Sequence, residues 1–452
     1  MDQKSKNKLP KKIFIKTMGC QMNEYDSNRI LDLTKKINYI STKNVKDSDC
    51  FVLNTCHIRE KATDKVYHEV GRVKKEFRNK PKPIVLITGC VAQAEGDVLL
   101  KKEKYIDAVI GPQSYHEVNK IITDIERKNS RLSSTEFDVI EKFDCLNLLK
   151  NSVSKISSFL TIQEGCDKFC KFCVVPYTRG PEFSRSVKEI VSEARQLIEN
   201  GSKEIILLGQ NVNAYNYNGN KLSDLLYALS EIEELKRIRY TTSHPKDMSK
   251  DLIEAHGKCE KLMPLLHLPI QSGSNKVLRN MNRGHSIEEY LMIVDKLKNQ
   301  KPNIKFSSDF IIAYPEETKD DFKETLSLMN KIGFINSYSF IYSARPGTPA
   351  ADMKKINEVE AKKRLKEFQN LADFKKKEYR KTLLNSKTKV LFENRIQNEN
   401  KYFGRDEYQN SVITTSDKDL TGKIETVNIT QFNNNTLFGE IFPKNKTGQH
   451  AA

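Results

Sequence analysis

The 452-residue chain, 38% hydrophobic and 30% charged, is long for one domain and has enough apolar side chains for sizeable cores, so two or three globular domains are expected. No apolar run approaches the roughly 20 residues of a membrane span, and the basic start MDQKSKNKLPKKIFIK lacks the apolar segment of a secretory signal, so a cytoplasmic protein without a membrane partner is expected. The 76 Lys and Arg exceed the 59 Asp and Glu by 17, which favours a polyanionic partner, nucleic acid first, although Lys-rich composition along the whole chain accounts for part of the surplus.

Residues 11–128 alternate short apolar runs with helical patterns. KIFIK, DCFVLN and KPIVLIT read as buried strands. DSNRILDLTKKI and EKATDKVYHEVGRVKKEF lie between them, with helical spacing and acidic residues in the first turn. This order predicts a doubly wound parallel sheet. Residues 129–151 are polar, weakly periodic, and read as a linker.

Alternation resumes over 152–383. SFLTIQ, EIILLG, RIRYTTS, PLLHLPI, IKFSSDFII and SYSFIYS are strand candidates separated by helical patterns. Six βα units predict a full or partial barrel with its site at the carboxyl ends of the strands. A charged helix at about 358–383 closes the unit, and its lysines, like those of the N-terminal run, read first as a solvated face. Over 384–446, KVLFENRI, SVITTS, KIETVNIT and TLFGEIF are short strands parted by NEN, DKD and NNN turns, which predicts a small all-β barrel.

Nine cysteines in a cytoplasmic chain argue for metal or redox chemistry rather than disulfides, provided they are grouped. Cys20, Cys56 and Cys90 are 36 and 34 residues apart, which matches no zinc-finger or ferredoxin spacing. Their settings nevertheless agree: KIFIKTMGC, FVLNTC and PIVLITGC each put the cysteine just past a strand. In a parallel sheet those ends share one edge, with strands about 5 Å apart. Three thiols should therefore converge. Cys50, Cys145 and Cys259 lack this setting and read as structural, as buried cysteines often are.

EGCDKFCKFCVVPYTRG, at 164–180, places Cys166, Cys170 and Cys173 after the first strand of the second unit. The spacing, x3 then x2, is neither a zinc ribbon nor a bacterial ferredoxin run. Three thiolates can hold a four-iron cluster by three corners and leave one iron open, and an open metal position signals chemistry.

CxxxCxxC with an aromatic before its last cysteine, after the first strand of a βα barrel, resembles the radical S-adenosylmethionine enzymes. That resemblance implies that the open iron binds S-adenosylmethionine and that Phe172 packs near its adenine. TMGCQMNEYDS, NTCHIREKA, TGCVAQ, LLGQNVNAY, TTSHP, LHLPIQSGS, MNRGHS and SSDFII narrow it to the methylthiotransferase family. CQMN after the first glycine is most similar to the branch acting on dimethylallyladenosine in tRNA. The resemblance spans about residues 12–442 and makes the terminal barrel similar to a TRAM domain, an RNA-binding fold.

The family resemblance implies two 4Fe-4S clusters, one on Cys20, Cys56 and Cys90 and one on Cys166, Cys170 and Cys173. It also implies S-adenosylmethionine as both radical source and methyl donor. Gly209, Gln210 and Asn211 would sit near the methionine part of that cofactor, and Arg345 would meet phosphate or a cofactor carboxylate. His244 and His267 read as hydrogen-bonded structural residues. The implied reaction inserts sulfur at C2 of N6-dimethylallyl-adenine in the tRNA anticodon loop and methylates it. C2–H is unactivated, so acid–base catalysis has little grip and a radical route is the remedy. Electron-donor and sulfur-donor proteins are implied partners, and a monomer is expected.

Two other readings stay open. One is a sister enzyme acting on threonylcarbamoyl-adenosine or a ribosomal protein. The other is a non-enzymatic iron–sulfur, RNA-binding redox sensor. One local departure stands out: the family's GFPGET reads Ala313-Tyr314-Pro315-Glu316-Glu317-Thr318 here. If the lost glycines served positive φ, Ala313 and Glu316 would be strained.

Overall fold

The structure is a computed structural model that describes residues 9–57, 62–128, 130–147, 149, 155–397 and 399–442. Most of the basic N-terminal run, part of the loop after Cys56, and 443–446 of the expected terminal barrel lie outside the described residues.

The first unit runs β1 (Lys11–Thr17), α1 (Gln21–Thr34), β2 (Tyr39–Ser41), β3 (Cys50–Thr55), α2 (Ala62–Glu76), β4 (Ile84–Gly89), α3 (Cys90–Glu95), α4 (Asp97–Lys102), β5 (Ala108–Ile110), α5 (Val118–Lys128), β6 (Leu132–Ser134) and α6 (Val139–Asn147). Its sheet is parallel throughout, ordered β2-β1-β3-β4-β5-β6. Helices cover both faces, as the doubly wound reading requires. All six residues of β3 are buried, so the strand is apolar on both sides rather than alternating. Ile13, Val52 and Leu86 face one core with α1 and α5; Phe51, Leu53 and Ile87 face the other with α2 and α4. The chain reverses direction across the sheet between β1 and β3, where such folds open a crevice at the carboxyl ends.

The stretch read as a linker is largely part of this unit. β6 extends the sheet beside β5, and α6 buries Phe143 and Leu146 in its core. A three-residue strand and a nine-residue helix are too short to show clear periodicity, which is why the polar composition misled.

The second unit runs β7 (Ser157–Thr161), β8 (Gln163–Glu164), α7 (Val175–Arg179), β9 (Phe183–Ser184), α8 (Val187–Glu199), β10 (Glu204–Leu208), β11 (Asn216–Tyr217), β12 (Asn220–Lys221), α9 (Leu222–Ser230), β13 (Arg237–Tyr240), α10 (Lys250–Lys258), β14 (Leu265–His267), α11 (Asn275–Asn280), α12 (Ile287–Gln300), β15 (Lys305–Ile312), α13 (Lys319–Ile332), β16 (Asn336–Ile341) and α14 (Glu358–Thr382). Two parallel three-stranded sheets, β7-β10-β13 and β14-β15-β16, meet through the Ile238–Leu262 bridge. Among the described residues β16 does not pair with β7, so the barrel is partial. Reciprocal caps start three of its helices, Ser186 with Glu189, Ser286 with Glu289 and Thr318 with Asp321.

The third unit is a closed barrel of five strands, β17 (Lys387–Arg395), β18 (Lys401–Asp406), β19 (Ser411–Thr415), β20 (Ile424–Phe432) and β21 (Thr436–Ile441), in the order β17-β18-β19-β21-β20. The sequence reading found four of these. KYFGRD, with a glycine and three charges in six residues, hid β18. Among the described residues no helix is long and apolar enough to cross a membrane.

Candidate functional site

Cys20 caps α1 just past β1, Cys56 follows β3, and Cys90 opens α3 at the end of β4. Two glycines let these loops close up. Gly19 has φ 114°, and a methyl group on it would stand 2.2 Å from the Cys56 Cβ. Gly89 has φ 91°, and a methyl group there would stand 2.2 Å from the Thr55 carbonyl oxygen. A side chain at either position would push the strand ends apart. The Cys56 thiol donates to Cys20 and brings it down to about 6, helped by Arg179 and the Asn23 N–H and opposed by desolvation. Burial raises Cys90, against the Arg179 guanidinium.

Cys166, Cys170 and Cys173 occupy the loop between β8 and α7. Cys166 N donates to Gly180 O at 3.2 Å, which closes the loop, and Cys173 N donates to Cys170 O at 2.9 Å. Two donors point at the sulfurs: Val175 N to Cys173 Sγ and Arg283 Nη1 to Cys170 Sγ, both at 3.5 Å. Burial pushes Cys166 up to about 12 and Cys173 up to about 11, and Cys173 also feels Cys90. One sulfur from each triad, Cys173 and Cys90, thus comes within electrostatic reach of the other across the boundary between the units. Cys50 and Cys259 are buried in apolar cores and Cys145 packs against one, as their settings implied.

The flanking residues vary. Phe172 packs with Val277, Met281, Tyr314 and Tyr342 beside the loop. Gly209 lies against Gln163, whose Oε1 accepts from Gln210 N at 3.0 Å and Asn211 N at 3.1 Å. Gln210 Oε1 accepts from Gly165 N at 2.6 Å. Asn211 Nδ2 donates to Glu182 at 3.1 Å and to Asp247 at 2.8 Å, and Asp247 pairs with Lys168 at 2.8 Å. Arg345 stands near His57, beside Cys56. His244 is buried and caps a turn through Nδ1, which accepts from Lys246 N at 3.2 Å; burial, then Arg283, holds it neutral. His267 bonds Ser307 at 3.0 Å but faces the open barrel interior.

That interior is half filled. Met22 and Tyr25 of α1 pack on Phe159, Ile206 and Leu208 and plug the β7–β10 side. On β15, Phe306, Phe310 and Ile312 point out to the helix layer, while Ser307 and Asp309 point inward. A cavity of about 390 Å³ remains on the β14–β16 side. All three units wall it: Gln21 next to Cys20, His267 and Tyr338 from the barrel, Lys376 and Arg380 from α14, and Tyr408 from the terminal barrel.

The donor set can be tested against iron–sulfur clusters. Among the described residues no three His, Cys, Asp or Glu side chains are close enough to hold one metal ion. A polynuclear cluster spreads its thiolates over several irons and asks for wider spacing. Soft thiolates in threes, with N–H donors aimed at sulfur, suit such a cluster. Asn211 Oδ1, Ser243 Oγ and His244 Nε2 are buried without a protein partner, polar valence that a bound amino-acid nucleoside would satisfy. Sequence reasoning missed Arg179, Arg283 and Tyr338. Each lies in or beside a quoted motif, but only packing turns it toward the cysteines or the cavity.

A partial βα barrel with CxxxCxxC after its first strand, joined to a doubly wound domain and a small β-barrel, defines a radical S-adenosylmethionine enzyme. Residues 160–329 match the Radical SAM superfamily, and residues 12–111 match the Uncharacterized protein family UPF0004. The radical S-adenosylmethionine methyltransferase TsrM from Kitasatospora setae, solved with cobalamin and a 4Fe-4S cluster, shares the fold at TM-score 0.54 and 10% identity, over 76% of this chain and 77% of that one. The tRNA-2-methylthio-N(6)-dimethylallyladenosine synthase of Pelagibacter ubique is 56% identical over 440 residues, covering 96% of this chain and 99% of its own. That of Roseobacter denitrificans is 45% identical, covering 95% and 98%. The chain belongs to the family of tRNA-2-methylthio-N(6)-dimethylallyladenosine synthases.

Proposed function

We propose that this protein converts N6-dimethylallyladenosine, next to the anticodon of tRNA, into its 2-methylthio derivative, acting as a cytoplasmic monomer with separate electron-donor and sulfur-donor proteins. The observation that carries this reading is the gathering of two cysteine triads, from different units, at one boundary, with Gln21, next to Cys20, in the wall of the cavity. Cys166, Cys170 and Cys173 hold one 4Fe-4S cluster, and Cys20, Cys56 and Cys90 hold the other. When bound, the first cluster supplies the electron that cleaves S-adenosylmethionine, and the second supplies sulfur.

The chain's own residues orient and enclose. Arg283 and the Val175 N–H hold the sulfurs of the first triad in place. Gly209 lets the backbone approach Gln163, while Asn211 and His244 offer polar atoms to the cofactor and Phe172 offers an apolar wall. Arg345 stands beside the second triad, suited to an anionic group there. Tyr338 gives the base a face to stack on, and Lys376 offers a cation to the backbone phosphates. A loop base can be splayed into such a chamber at little cost. Met22 and Tyr25 exclude water from the plugged side.

Anaerobic reconstitution followed by nucleoside mass analysis tests the reading. The product should appear on tRNA carrying the dimethylallyl group and not on tRNA lacking it. Cys56→Ala should still release 5′-deoxyadenosine and transfer no sulfur. Sulfur transfer at the wild-type rate would refute the role of the second triad.

A further inference from the structure

One buried guanidinium ties the first cysteine site to the residue that leads into the CxxxCxxC loop. Arg179 ends α7, six positions after Cys173, and its side chain is 2% exposed. Its Nη2 donates to Asp26 Oδ2 at 3.0 Å and Asn23 Oδ1 at 3.2 Å, and its Nη1 donates to Glu164 Oε2 at 3.3 Å. Asn23 and Asp26 belong to α1, the helix that Cys20 caps. Glu164 stands two residues before Cys166. Asn23 Oδ1 also accepts from Cys20 Sγ at 3.7 Å, so one amide oxygen links the guanidinium to that thiol. The guanidinium also lies near Cys90, where it opposes the effect of burial on that thiol. Behind it, α7 packs on α3, the helix Cys90 opens.

A second buried cation completes the arrangement. Lys142 pairs with Glu164 and lies 3.9 Å from Asp26. Two cations stand against two carboxylates, and of the four it is Arg179 that acts most strongly on Cys20 and Cys90. Gluing two units with four buried charges is a poor route to stability, because desolvation consumes most of the attraction. The guanidinium's planar fork can serve carboxylates and a sulfur together, which a lysine ammonium does less well. Its place near Cys90, and one amide oxygen away from Cys20, is what the stability argument leaves unexplained.

We propose that Arg179 is a positioning residue for the group held by Cys20, Cys56 and Cys90, fixing Cys20 and Cys90 in register with the CxxxCxxC loop and supplying the positive charge that favours that group's reduced state. The proposal rests on the reading above that this triad holds an iron–sulfur cluster.

The test uses the full chain with Cys166, Cys170 and Cys173 replaced by alanine, so that any cluster reports on the other triad. This parent, and the same protein with Arg179→Gln, Arg179→Lys or Asp26→Asn, are reconstituted anaerobically with iron and sulfide. Iron per chain, the rate of loss to a chelator, the electron paramagnetic resonance of the reduced cluster and its midpoint potential are measured. Arg179→Gln should lose its cluster about tenfold faster, the low end of what outer-shell partners contribute to metal affinity, and its midpoint should become more negative. Arg179→Lys should recover most of the midpoint. Asp26→Asn keeps the guanidinium and removes its negative partner, so its midpoint should rise, and it gives a readout even if Arg179→Gln fails to fold. A parent that takes up no iron refutes the cluster reading itself. A parent that loads normally, with Arg179→Gln or Asp26→Asn matching it in midpoint and chelator loss, overturns the positioning role and makes Arg179 a strut between units.

Discussion

Ala313 and Glu316 replace the two glycines usual in the family, and both adopt left-handed backbone, φ 57° and 66°. The strain foreseen from the sequence is therefore present in the loop after β15. Ala313 N donates to Glu317 Oε2 at 3.0 Å, and Glu317 in turn pairs with Arg364 at 2.9 Å, which holds the loop in shape. A left-handed L-residue costs about 1–2 kcal/mol, of which glycine's extra chain entropy returns a part. Glu316 is exposed, so Glu316→Gly should stabilise the protein by up to about 1 kcal/mol, seen as a raised midpoint in urea unfolding. At the same scale, Tyr338→Ala removes a ring that is 50% exposed within the barrel interior. Base stacking is worth about 1–3 kcal/mol, so the KM for tRNA should rise at least fivefold while 5′-deoxyadenosine release without tRNA stays unchanged. The six cysteines were legible because each stands at a strand end or in a local motif. Arg179 was not, because an arginine at the end of a five-residue helix has no pattern until packing buries it.

Among the elements, β13 does more than line the barrel. Arg237 donates to the carbonyls of Arg405 at 2.9 Å and Lys389 at 2.8 Å, both in the terminal barrel. Arg239 donates to those of Glu407 at 2.9 Å and Asp406 at 3.0 Å, and pairs with Glu204 at 2.8 Å. Two inward-facing arginines of one strand thus clamp the third unit onto the second. Arg237→Met should remove two part-buried hydrogen bonds that join the units, at a cost of about 1–3 kcal/mol. Limited proteolysis should then cut between α14 and β17 roughly tenfold faster and release the terminal barrel. Burial of arginine on a strand that reads RIRYTTS is opposite to what its alternation suggests, since the charged positions face inward and another domain satisfies them. β6, α6 and β18 were missed for a related reason: short or charged elements are held by neighbours, not by their own propensity.

At the scale of the molecule, the surplus of 17 positive charges meets a chamber with Lys376 in its wall. Binding of tRNA should weaken steeply as salt rises, because phosphate contacts release counterions. A flat response in filter binding between about 50 and 200 mM salt would remove backbone contact from the account.

The order of the three units, the parallel topologies and both cysteine triads were determined by the sequence alone, through strand-and-helix alternation and the placement of cysteine after each strand. Local periodicity records which residues face a core, and that is enough for a sheet edge to gather distant thiols. Only the tertiary structure decided that Cys173 approaches Cys90, that α1 plugs half the barrel, and that a guanidinium from the CxxxCxxC segment lies beside the first triad. Those are contacts between units, and no spacing within a single element encodes them.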